Sequence, residues 1–321
     1  MNNNSISKIE LKEYPIAFIG TCLGAVTLTN LYDNFEFTAV RSIFIFIGCL
    51  ALIFAAYKVL RHPDVVWNEM NNTILMALYP TSTMLLMNIG VYFLKFNYAL
   101  GKGLWFFGLI LNVIFVLFFL VRHVIIGFNM KFVLPCWYAL LVGVSVSCTT
   151  SPQMHETALV KPIFYFVVIA FLTFLPVVIY RLCTLEVPDE HYPLIAIFAA
   201  PASLCTISYI TLFKDANIYI VMFFFALTLL TTLFVYINFP KFFSLRFNPT
   251  FAALTFPLAV SFAASFKVKG YLASLGYTTA SRIVTEIAGI EFFIATAVIG
   301  FVFYKFVFTF LFNIPARKFT K

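Results

Sequence analysis

The chain is predicted to be an all-α integral membrane protein. Ten transmembrane helices are expected, as five helical hairpins around a central pore with quasi-fivefold order. Three observations predict this. First, 62% of the 321 residues are hydrophobic and 11% are charged, where a soluble domain carries roughly 25% charged residues. Second, the apolar runs are continuous and about twenty residues long, which suits helices crossing roughly 30 Å of hydrocarbon. A β-barrel gives alternating segments of about ten residues instead. Third, alternate runs are interrupted at similar depth by the same kind of break.

The expected spans are about 14–31, 40–60, 72–94, 103–121, 132–150, 160–180, 192–212, 217–238, 249–266 and 285–312. The loops between them are short, so neighbours form antiparallel hairpins, and residues 1–321 read as a single transmembrane domain. The first span carries Gly20-Thr21-Cys22-Leu23-Gly24, read as a break made by glycines. The third breaks at Tyr79-Pro80-Thr81, the fifth at Leu134-Pro135-Cys136, the seventh at Ala200-Pro201-Ala202 and the ninth at Thr255-Phe256-Pro257. Pro80, Pro135, Pro201 and Pro257 are 55, 66 and 56 residues apart by subtraction, roughly one hairpin each, which looks like internal repetition. The second, fourth, sixth, eighth and tenth spans are greasier, as in Phe106 to Leu120. The polar insert Lys267 to Arg282 is expected to hold a surface helix or loop.

Charge and cysteine content exclude several classes. The formal net charge is +8, but the Lys and Arg residues are scattered at the ends of apolar runs and form no basic stripe, so nucleic acid is not expected as a partner. With both termini on one side, thirteen of the 21 Lys and Arg fall on that side and eight on the other. Lys8, Lys12, Arg317, Lys318 and Lys321 are among the thirteen. The bias places both termini in the cytoplasm, in a plasma or inner membrane. The six cysteines make no CxxC and no ligand pair with the four histidines, so neither a metal site nor a disulfide framework is expected, and no cofactor. Met1 to Glu13 is polar and lacks the apolar core of a signal peptide. An enzyme needs clustered His or carboxylates at one depth; His62, His123, His155 and His191 lie at the ends of different segments.

The odd spans carry small and hydroxylated residues near their centres. Gly20, Thr21 and Gly24 stand in the first, Thr81 and Ser82 in the third, Ser145 in the fifth, Ser203 and Thr206 in the seventh, and Thr255 and Ser261 in the ninth. These ten are the expected pore lining. Small residues let helices approach closely, and a proline frees a backbone carbonyl that protein or water must satisfy. An inner ring of five odd helices inside five even ones follows. No ionisable residue stands at the centre of an odd span; Glu286 and Glu291 are expected near the outer end of the tenth, paired with Arg282 or reaching for water. Coupled carriers place ionisable groups at membrane depth, so the lining suits passive passage of a small ion. Phe256, before Pro257, is expected to leave helical geometry and plug the path as a hydrophobic constriction. With 42 Phe in the chain, a plain core role is the competing reading.

The ten spans, the Gly-x-x-Leu-Gly motif of the first (Gly20 to Gly24) and the mid-span prolines resemble the tellurite-resistance/C4-dicarboxylate transporter family. That family includes TehA and the plant guard-cell slow anion channels, and Thr255-Phe256-Pro257 is especially similar to the latter. The resemblance implies a homotrimer in the bilayer, one pore per protomer, and an anion path closed by the Phe at position 256. It also implies small inorganic anions or organic acids as partners. Cys22 stands where the family has a proline. The expected function is a gated channel for small monovalent anions; the alternative is a proton-coupled carrier of C4-dicarboxylates or oxyanions such as malate, sulfite or tellurite.

Overall fold

The computed structural model describes residues 14–31 and 38–311. Met1 to Glu13 and the terminal cations Arg317, Lys318 and Lys321 lie outside the described residues. The described chain is helical throughout, with no strand. The apolar elements are α1 (Ala17–Thr29), α2 (Thr38–Arg61), α3 (Thr73–Phe93), α4 (Tyr98–Ile126), and a fifth, α5, in three pieces (Trp137–Leu141, Gly143–Ser145 and Val146–Met154). They continue as α6 (Thr157–Thr184), α7 (Tyr192–Leu212), α8 (Ile218–Ser244), α9 (Pro249–Ser274) and α10 (Thr278–Thr309). A separate short helix, Pro63–Asn71, follows α2.

Eight of these helices are long and apolar enough to cross a membrane, not ten. The two that fall short are α1 and α5. Thirteen residues of α1 rise about 20 Å, less than the roughly 30 Å hydrocarbon core. Short α-helical and 3₁₀ pieces divide α5.

Each odd element packs on the next odd one, and α9 returns to α1, so the five close a ring. Each even helix lies outside, against the odd element before it and the one after: α2 on α1 and α3, α4 on α3 and α5, and so on to α10 on α9 and α1. Glycines allow the closest of these contacts. In the α3–α4 hairpin, a Cβ on Gly90 would stand 2.7 Å from the Gly101 carbonyl oxygen.

Two sequence expectations fail here. The Gly20–Gly24 stretch is not a break; α1 is continuous, because glycine keeps the N–H that proline lacks. The polar stretch from Lys267 to Arg282 is not a surface insert. Helix α9 runs on to Ser274 and α10 begins at Thr278, with one tight turn between them in which Gly276 takes φ +83°, a backbone region that costs glycine little. Its polar residues are helix ends standing clear of the apolar core.

Candidate functional site

The breaks have a common construction. Pro80 opens the α-helix Pro80–Phe93, Pro201 is the second residue of Ala200–Leu212, and Pro257 is the third of Thr255–Ser274. First-turn positions need no intrahelical N–H, so proline is tolerated there. The chain before them is wound tighter: 3₁₀ over Tyr192–Ala199 and Pro249–Leu254, and turns before Pro80. Pro135 precedes the short helix Trp137–Leu141, which gives way to a 3₁₀ turn at Gly143–Ser145.

Hydroxyls cluster at these junctions, each donating to a carbonyl about one turn back. Thr81 donates to Leu78 O at 2.6 Å, Ser82 to Tyr79 O at 2.6 Å, Ser145 to Val142 O at 2.6 Å, Ser203 to Ala199 O at 2.7 Å and Thr255 to Ala252 O at 2.7 Å. Leu78 O, Tyr79 O and Val142 O also accept the backbone N–H of the same residue, so the hydroxyl adds a second bond and, in an apolar medium, finds its own acceptor on the local backbone.

Two cavities lie inside the ring. The larger, about 520 Å³, is lined by the C-terminal parts of α1, α3, α5 and α7 and by the first half and middle of α9: Thr27 and Asn30, Asn88 and Tyr92, Val146, Thr149, Thr150 and Gln153, Leu204 and Ile207, and Phe256, Val260 and Ala263, with Arg41 and Lys95 at its rim. The smaller, about 30 Å³, is lined by the N-terminal halves: Ala17 and Gly20, Leu78, Thr81 and Met84, Tyr138 and Gly143, Ile197 and Ala200, and Ala252, Phe256 and Pro257. All five odd elements contribute to both, and the two cavities therefore stack end to end. They have two lining residues in common, Leu204 and Phe256. The small cavity has room for about one or two waters.

Phe256 is 8% exposed and lies in the first turn of a regular helix. The expected departure from helical geometry is absent; tertiary packing aims the ring. Helix α1 presses on this turn. A Cβ on Gly24 would lie 2.7 Å from the Thr255 carbonyl carbon and 2.8 Å from the Phe256 nitrogen, while Thr255 Oγ1 donates to Gly20 O at 3.0 Å. Among the described residues no aromatic ring packs on Phe256, whereas Phe262 packs on Phe292 with centroids 5.4 Å apart.

Of the ten expected lining residues, Gly20 and Thr81 border the small cavity. Thr21, Gly24, Ser82, Ser145, Ser203, Thr206, Thr255 and Ser261 line neither cavity. Thr206 meets Thr228 of α8 at 3.2 Å. Ser261 faces outward, 2.6 Å from Thr232 of α8 and 2.9 Å from Glu291 of α10. Glu291 is 3% exposed, so it neither reaches for water nor pairs with Arg282, because two hydroxyl-bearing helices enclose it. Residues that sequence reasoning missed are Leu204, indistinguishable from any lipid-facing Leu, and Arg41, Asn88 and Lys95. The two cations read only as helix-end charges.

Among the described residues no three His, Cys, Asp or Glu side chains gather as a metal site. The six cysteines are free thiols.

Comparison with curated proteins found no match. The profile of the family described as SLAC1, voltage-dependent anion channel, matches residues 13–312. The all-helical fold, the apolar helices and this match across nearly the whole chain agree. The chain belongs to the SLAC1 voltage-dependent anion channel family.

Proposed function

We propose that this protein is a gated channel for small monovalent anions, with the stacked cavities as its path and Phe256 as its gate. The observation that carries the reading is that Phe256 and Leu204 alone border both cavities. A benzyl ring and an isobutyl group at a constriction exclude water and so exclude a hydrated ion. Arg41 and Lys95 at the rim of the wide cavity favour anions over cations by raising their local concentration. The lining contains no Arg or Lys beyond that rim, so nothing there would clamp a divalent anion tightly.

The pore-lining role of the junction hydroxyls is indirect in this reading. They tie their side chains to the local backbone at the breaks near Pro80, Pro135, Pro201 and Pro257 and so hold the cavity walls in place. A homotrimer with one pore per protomer, and both termini in the cytoplasm, complete the proposal; the wide cavity then opens outward. The alternative, a proton-coupled carrier of C4-dicarboxylates or oxyanions, has one observation in its favour, the buried carboxyl of Glu291. That carboxyl borders neither cavity, which favours the channel.

The test is current across planar bilayers containing purified protein. Phe256→Ala should raise nitrate current at unchanged expression, and the current should reverse at the anion's equilibrium potential. A reversal potential that follows the pH gradient instead would favour the carrier. Unchanged current in Phe256→Ala would remove the gate.

A further inference from the structure

We propose that Glu291 is a proton-binding site behind the gate helix, and that proton binding there raises anion current. The inference rests on the reading of the α9-lined cavities as the anion path.

Glu291 stands near the middle of α10 and is 3% exposed. It is the one buried carboxylate among the described residues. Its Oε1 accepts from Ser261 Oγ at 2.9 Å, and Ser261 Oγ lies 2.6 Å from Thr232 Oγ1. Ser265, one turn further along α9, also faces the carboxyl. The Ser265 hydroxyl and Glu291 Oε2 are both buried without a hydrogen-bond partner. One carboxyl oxygen is thus satisfied and the other is not.

No cation compensates this group. From α8 the titratable side chain facing it is Tyr236. The only titratable group of α1 is Cys22. On α9, Lys269 stands one turn beyond Ser265 with its ammonium 4.4 Å from the Phe266 ring centroid, and Lys267 is exposed. On α10 itself, Arg282 and Glu286 are exposed. Glu291 makes no ion pair among the described residues. An unpaired carboxylate at membrane depth is unfavourable, whereas a neutral carboxylic acid has the O–H that Oε2 lacks. Protonation removes the buried charge and lets Oε2 donate to Ser265 Oγ, which has no partner, while Ser261 still donates to Oε1.

The site is coupled to the path by position. Ser261 follows Val260, which lines the wide cavity, and lies five residues after Phe256 on one helix. A negative charge one helix behind the wall repels an anion in the path, with little screening in an apolar medium. Neutralising it removes that repulsion and replaces a one-sided α9–α10 contact with a two-sided one. Acidification should therefore raise anion current.

The experiment measures nitrate current in bilayers of neutral lipid from pH 5 to 8, the same on both sides. Wild type, Glu291→Gln, Glu291→Asp and Phe256→Ala are compared. Infrared difference spectra of the purified proteins report the protonated carboxyl band over the same range. Wild-type current should rise several-fold toward acid, since a single site changes its protonated fraction by up to about tenfold per pH unit. Glu291→Gln should hold the acid level within about twofold throughout and lose the titrating band, while Glu291→Asp keeps a pH slope, as expected of one titrating group. A wild-type slope retained in Glu291→Gln, or no titrating carboxyl band that depends on Glu291, would overturn the proposal. If Glu291→Gln does not fold, the wild-type band and the Glu291→Asp slope decide. If Phe256→Ala leaves current unchanged but the slope still depends on Glu291, the gate falls and the proton site stands.

Discussion

The odd and even helices are both apolar, yet they do opposite jobs. In the most apolar stretches of α3, α7 and α9, 72%, 78% and 83% of residues are buried; in α2, α4, α6, α8 and α10 the share is between 28% and 39%. The buried helices are the less hydrophobic ones, the reverse of a soluble core. In lipid, apolar surface gains little from being hidden, and helices associate through close packing and hydrogen bonds. Glycines, hydroxyls and 3₁₀ breaks therefore collect on the inside. The exposed Phe and Leu of the even helices, such as Phe107 at 61%, are there for the bilayer.

That contrast can be broken most directly at Phe256. Phe256→Ala should raise anion current by about an order of magnitude or more, because opening a dewetted constriction removes the main barrier. Phe262, packed between α9 and α10, should instead lose about 3–5 kcal/mol of stability on truncation with no gain of current. Thermal unfolding in detergent and bilayer current, measured on both variants, separate the roles. Equal behaviour of the two would erase the distinction between gate and core.

A second contrast compares two glycines. Gly24→Ala forces a methyl against the backbone of Thr255 and Phe256 and should cost about 1–3 kcal/mol as overpacking, shifting the gate turn as well. Gly300 on α10 has open space around its Cβ position. Gly300→Ala should be neutral or stabilise by up to about 1 kcal/mol through helix propensity. Unfolding midpoints that do not differ would mean that α1 and α9 are not held at the distance seen here.

Selectivity sharpens the same comparison between lining and rim. With no cation along the narrow part of the path, ease of dehydration should order the anions, since stripping water from an ion costs several kcal/mol. Nitrate or iodide should pass better than chloride, and chloride better than sulfate, in reversal potentials under mixed-anion gradients. Sulfate ahead of nitrate would point to a cationic clamp that the lining lacks. The smallest expected effect is at the rim. Lys95→Gln should lower current about twofold in dilute salt and leave it unchanged at high salt, where the Debye length is only about 3 Å. A salt-independent loss would place Lys95 in the path itself.

The sequence by itself determined the solvent and the alternation. Runs of about twenty apolar residues require lipid, and mid-run prolines point to the irregular third, fifth, seventh and ninth helices, although Pro162 and Pro176 lie within the continuous α6. The sequence also singles out Phe256, an aromatic beside a break in a small-residue segment among 42 phenylalanines, and the structure sets it where the two cavities meet. What the hydroxyls do was not legible. Ser145, Ser203 and Thr255 look like lining from the sequence, but their hydroxyls turn back onto carbonyls about one turn earlier and border neither cavity; Thr81 bonds the same way and does border the small one. The continuous α1 was missed because a glycine pair serves equally for a bend or for a close contact, and only the neighbour, here the Thr255 turn, tells them apart. Leu204 bordering both cavities, Arg41 and Lys95 beside the wide one, and Glu291 buried behind α9 were likewise decided by tertiary structure. Hydropathy is a property of one residue and its segment, and it fixes who enters the membrane. Which helix meets which depends on shape and on hydrogen bonds between residues hundreds of positions apart, as when Thr255 bonds Gly20, and an apolar solvent gives no other force to choose between partners.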